Sequence, residues 1–121
     1  MLDQGKKFEA HAQVFLLGQG LQLVQANYHC AWGEIDLVMT QGNYLVFIEV
    51  RQRRPSRYLD AAASVGHTKQ QKIIKSAHLF LRQHRQFANM ICRFDIVAYD
   101  CDAGSIAGAT PKWLRSAFGL D

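Results

Sequence analysis

Asp36 and Glu49 stand in two apolar runs, GEIDLVMT (33–40) and NYLVFIEVR (43–51), joined by Gln41-Gly42. Side chains alternate faces along a strand, so Glu49 and Arg51 share one side of their run, about 6 to 7 Å apart. Glu34 and Asp36 share a side of theirs. A hairpin turn at Gly42, which can supply a positive φ, would let Asp36 and Glu49 face each other across the pair. Carboxylates brought together on a half-buried sheet repel and lose hydration, so they call for a compensating cation. A hard divalent ion meets that need. Magnesium is held by a few carboxylate, carbonyl and water oxygens, and in nucleases it polarises the scissile phosphate and helps to deprotonate an attacking water. Asp36, Glu49 and the backbone carbonyl of Val50 are the candidate ligands, with magnesium or manganese as the ion. Arg51 is the cation beside them.

The same spacing also suits weak ion pairs on a solvated face of an antiparallel pair. Against that reading stands the apolar context. Ile35, Leu37, Val46, Phe47, Ile48 and Val50 flank the acids, as expected of strands central in a sheet.

The elements that must position these residues follow from periodicity. From Gly5 to Gln19, Phe8, Ala12, Phe15 and Leu16 recur at helical intervals, predicting an amphipathic helix that carries Glu9 and closes near Gly18 or Gly20. Leu21 to His29 reads as a first strand, followed by the two strands of the hairpin. Residues 52–67 hold arginines, Pro55, three successive alanines and Gly66, predicting a loop with a short helical piece. Thr68 is the expected cap of a helix to about Arg85 with the stripe Ile73, Ile74, Ala77, Phe80 and Leu81. Cys92 to Tyr99 reads as another strand, and Thr110-Pro111 as the start of a last helix over Lys112 to Phe118. A strand that returns through a helical crossover implies an α/β fold with a sheet flanked by helices.

A chain of 121 residues has room for one core, so a single domain over 1–121 is expected. No run approaches the roughly 20 apolar residues of a membrane span, and the charged N-terminus lacks an export signal, which predicts a soluble, cytoplasmic protein. Cys30, Cys92 and Cys101 have neither disulfide-framework nor zinc-knuckle spacing and read as reduced thiols. The formal charge of +4 favours a polyanionic partner without naming one. Arg51, Arg53, Arg54 and Arg57 lead toward the helix bearing Lys69, Lys72 and Lys75, a basic stretch that reads either as a solvated face or as a track for phosphates beside the acids.

Asp followed some 13 residues later by Glu-Val-Arg, with the acids on adjacent strands, resembles the PD-(D/E)XK nuclease superfamily. More closely, the chain resembles the YraN family, on Gly5-Lys6 with Glu9 and Ala10, Asn27-Tyr28, GEIDLV (33–38), VFIEVR (46–51), Ala63 to Val65, Lys69-Gln70, Arg93 to Val97, and Ala117-Phe118. The resemblance runs along nearly the whole chain. It implies a restriction-endonuclease-like core with a central mixed sheet, similar to archaeal Holliday-junction resolvases, and a metal-dependent endonuclease acting on branched or damaged DNA. By the same resemblance Asp36 and Glu49 would be metal ligands, Glu9 a helix-borne acid reaching the same cluster, and Arg51 the motif's basic residue. Lys69 and Gln70 would lie near the DNA backbone, with Arg53, Arg54 and Lys72 as further nucleic-acid-binding candidates. A homodimer that places two sites on one junction is compatible with it.

One position departs from the superfamily pattern, which usually ends in Lys. Arginine does not give up its proton near neutral pH, so Arg51 cannot act as a general base, although it can orient water and stabilise charge on a phosphate. A second function class therefore stands beside the enzyme: a nucleic-acid-binding or adaptor domain that keeps the fold and the basic face without cutting. A third, ranked last, works through protein contacts alone.

Overall fold

The computed structural model describes residues 3–119, so the two positions at each end of the expected domain lie outside it. Helix α1 spans Gln4–Gly18, β1 Gln22–Cys30, β2 Gly33–Gln41, β3 Tyr44–Arg53, α2 His67–Gln83, β4 Ile91–Asp100 and β5 Lys112–Phe118, with a 3-10 turn at Arg85–Phe87. The five strands form one sheet in chain order. β1–β2, β2–β3 and β4–β5 are antiparallel and β3–β4 is parallel, α2 lying in the crossover between the last two. This is the expected α/β arrangement, a central mixed sheet flanked by helices.

Each helix forms where an apolar stripe has a sheet face to cover. Asp3 caps α1 by accepting the Lys6 amide at 2.8 Å. Phe8, Ala12 and Leu16 of α1 pack on Leu37, Met39, Val46, Ile48, Val97 and Tyr99. On the other face Ile73, Ile74, Ala77 and Phe80 of α2 pack on Val38, Leu45, Phe47 and Phe94. Alternate residues of β3 thus feed opposite cores, which places Glu49 and Arg51 on the α2 side. The β2–β3 hairpin turns at Gly42, whose φ of 58° is the left-handed conformation glycine adopts without strain.

Two sequence expectations fail. The N-cap of α2 is Gly66, with no side-chain capping bond, and Thr68 lies one residue inside the helix. The segment from Lys112 to Phe118 is the edge strand β5, not a helix. The cause is tertiary. β4 would otherwise end the sheet with unpaired backbone groups, and the buried Asp95 carboxylate accepts from the Trp113 indole at 2.9 Å and the Ser116 amide at 3.0 Å, drawing this segment alongside β4. Ser116 meets it with a φ of 51°, beside the register shift between Phe94 and Ile96.

No helix among the described residues is long and apolar enough to cross a membrane. The three cysteines are free.

Candidate active site

β2 and β3 pair from Gln41–Tyr44 to Leu37–Ile48, and there the ladder stops. The next step of that register sets Asp36 opposite Glu49. β2 also leaves regular alternation at this point, since Ile35 and Val38, an odd number of residues apart, join the same core. Asp36 uses the gap: its Oδ2 accepts the Val50 amide at 2.8 Å, replacing the backbone acceptor that a continued ladder would supply. The Val50 amide is thus bonded to the acid.

Asp36 is 6% exposed and Glu49 3%. Burial, then the charge of Glu49 and a hydrogen bond between the two carboxyls, push Asp36 up to about 8 against the smaller opposing effect of the Val50 amide. Burial and the neighbouring charge thus favour the protonated form of Asp36 near neutral pH. Lys69, on the first turn of α2, brings its Nζ within 3.4 Å of Glu49 Oε2.

Glu9 approaches from α1. Burial first, then Asp36, raise it to about 6, with Lys6 opposing. Its Oε1 is buried without a hydrogen-bond partner, the Lys6 ammonium standing 3.6 Å away. Lys6 in turn donates to Asn27 Oδ1. Asn27 lies opposite Asp36 across the β1–β2 ladder, between the pairs Ala26–Leu37 and Tyr28–Ile35, and has a φ of 54°, which asparagine tolerates better than most residues. Glu9, Lys6, Asn27, Ala26 and Leu37 line a cavity of about 180 Å3. Among the described residues no three His, Cys, Asp or Glu side chains are gathered tightly enough to hold a metal ion as they stand. A divalent cation nevertheless suits the donor set: Asp36 and Glu49 are buried side by side with one ammonium, Lys69, near Glu49, and Glu9 adds a buried oxygen without a hydrogen-bond partner.

Arg51 shares the face of Glu49 yet turns away from it. Its Nε donates to Ser64 Oγ at 2.9 Å, and its Nη2 lies 3.5 Å from the Ser64 carbonyl. Lys69, not Arg51, is thus the cation paired with the acids.

The other candidates scatter. Gln70 donates to the Val65 carbonyl at 3.0 Å, tying the start of α2 to the preceding turn. Lys72 is exposed on α2. Arg53 donates to the Gln52 carbonyl, and Arg54 pairs with Asp102 at 3.3 Å, so part of the arginine run is neutralised locally. Lys6, Asn27 and Ser64, which lie in stretches that carry the family resemblance but were given no role there, belong to the surroundings of the site. Asp95 is a different kind of acid: 0% exposed, it is bound by Arg93, Trp113 and the Ser116 amide, and is compensated in full.

The family model described as "Uncharacterised protein family UPF0102" matches residues 8–99, from α1 through β4, and so spans Glu9, Asp36, Glu49, Arg51 and Lys69. A UPF0102 protein of Klebsiella pneumoniae is 47% identical over 95% of this chain and 85% of its own length. One from Alkalilimnicola ehrlichii is 41% identical over 97% and 87%, and one from Pseudomonas syringae pv. syringae is 44% identical over 94% and 91%. By the extent of these matches, the chain belongs to the UPF0102 family.

Proposed function

We propose that the chain is a metal-dependent endonuclease of the PD-(D/E)XK type, similar to the YraN family and to junction resolvases, with DNA as its partner and the cytoplasm as its compartment. The observation that carries this reading is the buried Asp36–Glu49 pair at the point where β2 and β3 part. Asp95 is compensated in full, whereas burial and the charge of Glu49 raise the proton affinity of Asp36, which supports a functional role for the pair. Asp36 and Glu49, with Glu9 and the Val50 carbonyl, would hold magnesium or manganese, which when bound neutralises the acids and polarises a scissile phosphate. The Val50 amide fixes the Asp36 carboxylate, and Lys69 holds Glu49 at the mouth of the site. Lys69 and Lys72 offer positive charge to the phosphates of a substrate on the α2 side.

A second reading, a nucleic-acid-binding domain that cuts weakly or not at all, draws support from Arg51. It cannot release a proton, and it is engaged with Ser64. The two are separated by incubating labelled four-way junction, flap, single-stranded and duplex DNA with Mg2+ or Mn2+, the wild type beside Asp36→Ala and Glu49→Ala. Metal-dependent cutting lost in both variants is the expected result and names the substrate. Salt-sensitive binding that survives both substitutions, without cutting, replaces the enzyme by the binding domain.

A further inference from the structure

Lys69 at the acids is one end of a basic ridge along α2, and Lys75 is the other. The Lys75 Nζ lies over the ring of Trp32, 4.5 Å from its centroid. Trp32 sits in the turn between β1 and β2, immediately before the strand that carries Asp36, and keeps 49% of its surface exposed. Trp32 is thus a half-open indole with a cation over its ring, whereas the other tryptophan, Trp113, donates to Asp95. Burying the rest of the indole would gain hydrophobic free energy.

We infer that Trp32 is a stacking platform for an unpaired nucleobase, and that Lys75, Lys72 and Lys69 lead the attached phosphates from that base toward Asp36 and Glu49. The chemistry matches on both counts. An indole face stacks on any base when that base is free of its duplex partner, which gives preference for unpaired strands without sequence readout. A line of three ammonium groups from α2 matches the charge of the phosphates that follow the base. Lys75, already drawn to the π face of Trp32, holds the ring in a fixed orientation and places a cation beside the first phosphate. A paired base inside a duplex offers no face to the indole, so Trp32 distinguishes substrates with a single-stranded or splayed segment from continuous duplex.

This inference deepens the nuclease reading but is tested without cleavage. In EDTA, fluorescence anisotropy measures binding of labelled dT12, rU12 and a blunt 12-base-pair duplex to the wild type, Trp32→Ala, Trp32→Phe and Lys75→Met, with circular dichroism confirming the fold of each. Trp32→Ala is expected to weaken single-strand binding about tenfold, within the range measured for losing one base–aromatic stack. Duplex binding stays unchanged, and Trp32→Phe recovers most of the loss. Lys75→Met weakens single-strand binding several-fold and lowers its salt dependence. The tighter of dT12 and rU12 names the strand as DNA or RNA. Equal affinity of Trp32→Ala and wild type for the single strands, or an equal loss on single strand and duplex, overturns the platform. Because no metal is present, either result leaves the cleavage experiment to judge the acids on their own.

Discussion

The amide of Val50 donates to Oδ2 of Asp36 at 2.8 Å, at the step where β2 and β3 cease to pair. A bond of this kind favours the ionised carboxylate, yet burial and Glu49 outweigh it and lift Asp36 to about 8. The site is therefore assembled around a charge that the fold resists.

That resistance has a sign. The ordinary value of the group is 3.8, so between about pH 4 and pH 8 the folded chain binds more protons at Asp36 than the unfolded one. Stability from this group is present at the acid end of that window and is lost as pH rises through it, with a slope of at most about 1.4 kcal/mol per pH unit. Asp36→Asn keeps an acceptor for Val50 and removes the titration. In EDTA, urea unfolding from pH 5 to 8.5 should show the variant gaining on the wild type as pH rises. A constant difference across the series would mean that Asp36 ionises in the fold as it does in water.

Metal binding should show the same proton. Because Asp36 retains it near neutrality, Mg2+ must displace it, and affinity is expected to increase between pH 6 and pH 8, by at most about tenfold per unit. Calorimetry in two buffers of different ionisation heat reads the released proton directly. The heat should vanish in Asp36→Asn and weaken in Glu9→Gln. Affinity that is the same at pH 6 and pH 8 would separate metal binding from the acid pair.

Lys69 has more charge to offset once Asp36 gives up its proton. Lys69→Met should lower stability by about 1 kcal/mol at pH 8, the modest value reflecting an ammonium in contact with water, and by less at pH 5. Chemical denaturation at the two pH values checks this. An equal loss at both would make Lys69 a packing residue.

Asp95 tests the fold rather than the site. Replacing it with Ala takes the counter-charge from the half-buried Arg93 and releases the Trp113 indole and the Ser116 amide, at a cost of about 3–5 kcal/mol. Amide exchange should accelerate across Lys112–Phe118 before the rest of the sheet, with the Trp113 emission shifting to the red. Uniform exchange throughout the sheet would show that β5 does not depend on this anchor.

Much of this arrangement was legible in the residues. Phe8, Ala12 and Leu16 announced α1, the stripe from Ile73 to Phe80 announced α2, and Gly42 between two alternating apolar runs announced the hairpin that sets Asp36 near Glu49. These features are local: a helical or strand period needs only neighbours within a turn or two, and a hairpin fixes its own register. Other features depended on partners distant in sequence. The seven residues of β5 carry no decisive period and become a strand because Asp95, buried in β4, binds Trp113 and Ser116. Arg51, read as part of the site, is claimed by Ser64 across the loop, while Lys69 reaches Glu49 because the crossover sets the first turn of α2 over the end of β3. Trp32 meets Lys75 for the same reason. The sequence alone determined which segments form and which faces they bury, since periodicity encodes both. Which cation answers which acid was decided by tertiary structure, because charges interact through distances that only the packed chain defines.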